Sequence, residues 1–508
     1  MVRGVYPSTP ARLPPLALSS EHLETFPLLR PAPPPPRHGA LPLRPGDVGI
    51  GTRSGRPRPV RSTPASLVGD PGHLDPGVGR PRGVVPPRPP WRRPVGFRAA
   101  HGLDRLGVPR SSPRRGGRGA GRAPARPLVV PGVLLVDPLY PLRPAPRRGG
   151  GGFGALGGIL KIAAVGTALP PHYYDQDELL AALRQRWAGR HFNLDRLERL
   201  HRNVLVGGRH LALPIEEYGQ LTTWGKANDA WIRVAQEVGG QAVLDALERA
   251  GLGPGDVDAL IFVTVTGIAT PSIDARLINR LGLPPRVKRM PIFGLGCVAG
   301  AAGIARAADY VKGHPDDVAV LLSVELCSLT LQEEDLSIPN LIASGLFGDG
   351  AAAVVVTGEN RAADGPRIVA TRSVFYPDSE RVMGWDISES GFRIVLSAEV
   401  PVVARERLRP DVDAFLGDHG LSRADIASWV CHPGGPKVLE AMEESLEVPP
   451  GALDVTWRSL REVGNLSSTS VLLVLAETLE HHRPAPGSYG MLIAMGPGFC
   501  SELVLLQW

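Results

Sequence analysis

Apolar and polar positions in residues 159–508 follow two spacings. Short apolar runs at 160–166, 258–264, 318–324, 351–356 and 429–431 read as strands buried on both faces. Between them lie stretches with helical spacing at 175–187, 195–202 and 227–250. In the last of these Val238, Ala242 and Ala246 share one stripe, Gly251 stands where a C-cap belongs and Pro254 lies just beyond. A helix is predicted from Pro436 and another over 468–479, with strands at 489–494 and 501–506. Strands alternating with helices predict an α/β fold of two similar halves, 159–378 and 379–508.

Residues 1–158 have neither spacing. They hold 32 of the 53 prolines, 26 of the 61 glycines and 25 arginines, with no lysine, no asparagine and one isoleucine. Proline at this density blocks helix and sheet, and seven acidic residues leave a formal charge of 25 − 7 = +18, which opposes collapse. A disordered leader is predicted over 1–158, with an over-extended start and an arginine-rich arm as the other readings. The glycine run at 149–158 follows no strand and reads as a linker rather than a dinucleotide loop.

Charge then changes the picture. Residues 159–508 carry 31 − 43 = −12, so the net +6 belongs to the leader, and a uniformly basic nucleic-acid binder is excluded. No uninterrupted apolar run approaches the ~18 residues of a membrane span. Four cysteines (Cys297, Cys327, Cys431, Cys500) form no C-x-x-C pair, which points away from a disulfide framework or a zinc site and toward a reducing cytoplasm.

Candidate chemistry sits at strand-to-helix junctions. In P-I-F-G-L-G-C-V-A-G-A-A-G (291–303), Cys297 lies on a glycine-flanked turn before a helix of small residues. A thiol at a helix N-terminus is expected to have a lowered pKa, and the thiolate is the nucleophile; a buried structural cysteine is the other reading. His432 ends a strand before a Gly-Gly turn in C-H-P-G-G-P-K. Asn465 precedes an apolar helix in G-N-L-S-S-T-S, where an N-cap residue is equally expected.

With G-C-V-A-G (296–300), G-L-F-G-D-G-A-A-A-V-V-V (345–356), H-P-G-G-P (432–436), G-N-L-S-S (464–468) and G-P-G (496–498), residues 159–508 resemble the type III polyketide synthases, the chalcone and stilbene synthase family. The resemblance implies a thiolase-like fold with αβαβα layers, and a homodimer that takes an acyl-CoA and malonyl-CoA with no metal and no resident cofactor. It implies that Cys297 carries the starter acyl group and that His432 and Asn465 assist loading and malonyl decarboxylation. It places Phe347, Ile394 and Thr270 at the substrate gate and cavity wall, Arg196, Arg199 and Arg202 at the CoA phosphates, and Gly496, Pro497 and Gly498 in an active-site loop.

Several positions depart from the family pattern. Ile394 stands where an aromatic is usual, Asn203 replaces a lysine, Thr270 replaces the methionine of plant enzymes and Met495 replaces a phenylalanine. The changes at Ile394 and Thr270 remove bulk or rigidity where a starter chain would lie and predict an aliphatic starter, closed to an alkylpyrone or alkylresorcinol. A ketoacyl-ACP synthase, which uses the same Cys-His-Asn set, and a non-catalytic arginine-rich binding protein are the alternatives.

Overall fold

The computed structural model describes residues 159–189 and 193–508; the leader predicted over 1–158 lies outside the described residues. In chain order the first half begins β1 (Lys161–Ala168), β2 (His172–Asp175), α1 (Gln176–Arg186), α2 (Leu194–Asn203), β3 (Gly208–Leu211) and α3 (Trp224–Arg249). It continues with β4 (Ala259–Thr264), α4 (Ile273–Leu281), β5 (Lys288–Phe293), α5 (Ala299–Gly313), β6 (Val318–Leu326), α6 (Ile338–Leu346) and β7 (Asp349–Thr357). Then come β8 (Arg367–Phe375), β9 (Met383–Ser388), β10 (Gly391–Leu396) and α7 (Val400–Gly417). They are followed by β11 (Ile426–Cys431), α8 (Pro436–Leu446), α9 (Asp454–Val463), α10 (Ser468–His481), β12 (Tyr489–Gly496) and β13 (Cys500–Gln507).

Nine strands form one sheet in the order β11-β12-β13-β8-β1-β7-β6-β4-β5. Its two parts join where Lys161 of β1 stands opposite Arg367 of β8. Side chains leave opposite faces of each strand in turn, and both faces are covered. In β4, Leu260 and Phe262 pack with Val238, Ala242 and Ala246 of α3. Ile261 and Val263, between them, pack with Ala301 and Ile304 of α5 and with Val471 of α10. In β12, Leu492 and Ala494 join that same inner cluster, whereas Met491 and Ile493 meet Leu408 of α7 and Leu439 of α8. The resulting sequence of layers, α3, sheet, α5 with α10, sheet, α7 with α8, is the αβαβα order expected from the sequence.

The continuous apolar runs became the inner strands. β4, β6 and β7 are buried at every position, and α3 is N-capped by Thr223, whose Oγ1 accepts the Lys226 N–H at 3.3 Å. Most of the strands that hydrophobic spacing missed are partly exposed, although the short β3 is fully buried. β8 (R-I-V-A-T-R-S-V-F) alternates no clean apolar face, and β9 and β10 form a separate two-stranded hairpin at the cavity.

Candidate active site

Cys297 sits in the 3-10 turn Gly296–Val298, between β5 and α5. Two close approaches fix this turn. A Cβ on Gly300 would stand 2.3 Å from the Ser468 carbonyl oxygen, so α5 lies directly against α10. Gly296 has φ +55° and faces the Pro497 ring, where a Cβ would meet Cδ at 2.7 Å. The loop Gly496-Pro497-Gly498 is therefore seated against the nucleophile turn, with Gly496 beside the backbone nitrogens of Cys297 and Val298.

The thiol is 5% exposed and lies 3.7 Å from the Ser467 hydroxyl. Burial pushes its pKa up to about 12; the Ser467 bond opposes that rise and the Glu325 carboxylate adds to it. The lowered thiol pKa expected from the helix N-terminus is thus corrected, because desolvation outweighs the dipole at this depth.

His432 follows β11, held by its N–H to the Ile493 carbonyl and by the Gly434 N–H to its own carbonyl, each at 2.9 Å. The ring is buried, and neither Nδ1 nor Nε2 has a hydrogen-bond partner among the described residues. Burial lowers its pKa to about 3, so the imidazole is neutral and both a proton acceptor and a donor. Buried polar atoms without partners are rare, and they concentrate where a ligand completes them.

Asn465 is not an N-cap. Its N–H donates to the Leu346 carbonyl at 2.9 Å and its carbonyl accepts from Gly348 at 3.0 Å, which sets Phe347 and Asn465 side by side. The side-chain Oδ1 accepts the Ser467 N–H at 2.8 Å, and Nδ2 donates to the Gly434 carbonyl at 3.2 Å. One chain of contacts therefore runs from the Cys297 thiol through Ser467 and Asn465 to the backbone two residues after His432. Ser467, which sequence patterning did not single out, holds this chain at φ 48° and ψ −128°, a backbone region sparsely populated by side-chain-bearing residues.

A cavity of about 530 Å³ opens beside this group, its wall including Phe347, Ile394, Trp385, Cys327, Thr330 and Arg209. Cys297, His432 and Asn465 do not line it; Phe347, which does, is bridged to Asn465. Cys327 is close enough for the two thiols to interact electrostatically. Phe347 and Ile394 occupy the wall as expected. Trp385 was missed: it stands directly opposite Ile394 in the β9–β10 register and brings back an aromatic ring where Ile394 removed one. The remaining expected positions are peripheral. Thr270 is exposed in the loop after β4 and outside the cavity of its own chain. Arg196, Arg199 and Arg202 lie exposed on α2, and Arg202 is drawn to Glu198 at 2.9 Å and Asp177 at 3.8 Å.

Comparisons with known proteins agree with this geometry. The family description "Chalcone and stilbene synthases, N-terminal domain" matches residues 155–360, and the corresponding C-terminal domain matches 367–508. The 1,3,6,8-tetrahydroxynaphthalene synthase of Streptomyces peucetius subsp. caesius is 53% identical over 350 residues, covering 68% of this chain and 93% of the relative. The 3,5-dihydroxyphenylacetyl-CoA synthase of Amycolatopsis orientalis is 33% identical over 356 residues, covering 69% and 94%. Among solved structures, the 1,3,6,8-tetrahydroxynaphthalene synthase of Streptomyces coelicolor A3(2), a bacterial type III polyketide synthase, superposes with a TM-score of 0.64 at 32% identity. That match covers 68% of this chain and 99% of that one. The chain belongs to the chalcone and stilbene synthase family: it is a type III polyketide synthase, an acyltransferase of thiolase-like fold.

Proposed function

We propose that this enzyme uses malonyl-CoA as both starter and extender and closes the chain to a hydroxylated naphthalene. Two observations favour this over the alkylpyrone or alkylresorcinol expected from the sequence. The first is the 53% identity to a protein named 1,3,6,8-tetrahydroxynaphthalene synthase. The second, which carries the reading at the site, is Trp385 opposite Ile394: the indole occupies wall space that the isoleucine left open to a long or bulky starter. Carbon balance suits this product. Each malonyl-CoA contributes an acetate unit with release of CO2 and CoA, and ring closure releases water, so malonyl-CoA alone supplies every carbon of the ring system.

The chemistry needs only side chains of this chain and CoA thioesters. Cys297 attacks the thioester carbonyl while neutral His432 takes the thiol proton, and the departing CoA thiolate is reprotonated. A second malonyl-CoA then loses CO2 to give an enolate, whose oxygen His432 and Asn465 stabilise as donors. One such donor is worth roughly 2.7–4 kcal/mol of barrier. The enolate carbon attacks the acyl group on Cys297; its sulfur leaves with the bond pair, and transfer of the chain back to Cys297 restarts the cycle. Phe347 orients the malonyl group, and Arg196 and Arg199 meet the CoA phosphates, with a smaller share for the ion-paired Arg202. Thr270, with exposed Ile268 beside it, reaches the cavity of the partner in a homodimer.

The second reading remains an aliphatic starter, favoured by the apolar side of the cavity at Leu179, Leu183, Leu211 and Ile215. Product masses decide between them. Malonyl-CoA alone is expected to yield the ten-carbon aromatic, and added hexanoyl- to palmitoyl-CoA to change little. Product formed only when an acyl-CoA is added would reverse the assignment.

A further inference from the structure

We infer that Arg209 recognises a carboxylate at the distal end of the growing acyl chain, so that the cavity wall selects chains begun from a dicarboxylic starter. This deepens the malonyl-primed reading and rests on it.

Arg209 lies on β3, is 3% exposed and forms part of the wall of the 530 Å³ cavity. Its Nη1 donates to Gln176 Oε1 at 2.8 Å and to the Gly345 carbonyl, and Nη2 donates to the Ser344 carbonyl. A guanidinium has five N–H groups, so these bonds leave Nε–H and one Nη2 N–H. Nε is buried and has no partner among the described residues. Nε and Nη2 share one edge of the guanidinium plane, and two N–H groups on one edge match the two oxygens of a carboxylate.

Several other polar groups of this wall have their donors engaged within the protein. The Ser328 hydroxyl donates to Asp349, which also accepts from the N–H groups of Ala212 at 2.6 Å and Ser328 at 2.8 Å. With that proton committed, the Tyr218 hydroxyl donates to Ser328 Oγ at 2.5 Å. Thr330 Oγ1 donates to the Cys327 carbonyl at 2.7 Å, and Asn340 Nδ2 to the Gln332 carbonyl at 2.8 Å and that of Asp335 at 2.6 Å. Arg186, also in the wall, is paired with Glu333 at 2.9 Å, and Glu216 is exposed at the rim.

Among the described residues the cation has no direct counter-ion. Asp349 opposes its charge from beyond ion-pair distance, with its own oxygens already engaged. Burial lowers the Arg209 pKa only to about 10, so it stays charged near neutrality. A buried charge without a partner is costly, and an anion arriving in the cavity offsets that cost. A methyl-ended alkyl chain leaves the guanidinium as it was; a chain carrying the starter's carboxylate meets it with two charge-assisted bonds.

The test compares Arg209→Gln and Arg209→Lys with the wild type, reading the ratio of malonyl-primed to hexanoyl-primed product by mass together with Tm. For Arg209→Gln the ratio is expected to fall about tenfold or more, the worth of one hydrogen bond to a charged group, and Arg209→Lys should fall between. An unchanged ratio, or parallel loss of both products in a folded variant, would overturn the inference. A second measurement needs no variant: glutaryl-CoA should inhibit wild-type synthesis about tenfold more strongly than pentanoyl-CoA. Equal inhibition would count against Arg209 even where Arg209→Gln does not fold. Failure of malonyl-CoA alone to give product would instead refute the starter assignment, leaving the glutaryl comparison to judge Arg209.

Discussion

At the scale of single residues, burial acts on both members of the proposed catalytic pair: it raises the Cys297 thiol to about 12 and lowers His432 to about 3. Cys297→Ala should lower product formation by on the order of 10³-fold or more, as removal of a catalytic nucleophile does elsewhere. His432→Gln keeps a donor but loses the base: it should retain part of malonyl-CoA decarboxylation while losing acyl loading. Equal loss of both would show that the imidazole's role is mis-stated. Linkage gives a separate check. With a folded pKa of about 3 and an ordinary value of 6.5, the unfolded chain binds a proton that folded His432 refuses. Stability from this residue is full above about 6.5 and is lost as pH falls toward about 3. Urea midpoints between about pH 4 and 7 should fall more steeply for wild type than for His432→Gln; parallel slopes would contradict a buried neutral ring. Cys297, His432 and Asn465 were legible in the sequence because glycines and helix starts mark their junctions. Ser467, Trp385 and Arg209 were not, since their roles depend on a hydroxyl facing a thiol from another helix, on a cross-strand register and on an unspent guanidinium edge.

At the scale of elements, two contacts position the chemistry. The α5–α10 approach at Gly300 brings the Cys297 turn to Ser467, and the sequence hinted at it through a helix of small residues without naming its partner. Gly300→Leu adds bulk against a backbone carbonyl and should destabilise by at least about 1–3 kcal/mol; a Tm within a degree of wild type would mean the helices part freely. The β9–β10 hairpin forms the cavity wall at Ile394 and Trp385. Its strands are partly exposed, so no buried run announced them, and the Trp385–Ile394 pairing was not legible from either residue alone. Trp385→Ala should raise kcat/KM for octanoyl-CoA relative to malonyl-CoA by roughly tenfold, the scale on which apolar pockets discriminate. An unchanged chain-length profile would show that the indole does not limit the starter.

At the scale of the whole molecule, the buried strands and the long α3 carried enough apolar pattern to give the α/β class, and the layer order came from the family resemblance. The family match begins at residue 155 and spans nearly the full length of the relatives, whereas the preceding segment carries the +18 charge and no apolar pattern. A chain shortened to 155–508 should keep its Tm and turnover within about twofold, because a segment without apolar pattern adds no core; a larger loss would show that the leader packs on the enzyme. The claim on which all else depends is that Cys297 carries a chain built from malonyl-CoA alone. Mass spectrometry of the protein quenched during turnover with malonyl-CoA as sole substrate tests it most directly. An acyl adduct on the peptide containing Cys297, together with a ten-carbon aromatic product, is the predicted result. Product formation by Cys297→Ala, or an adduct confined to another cysteine, would contradict it.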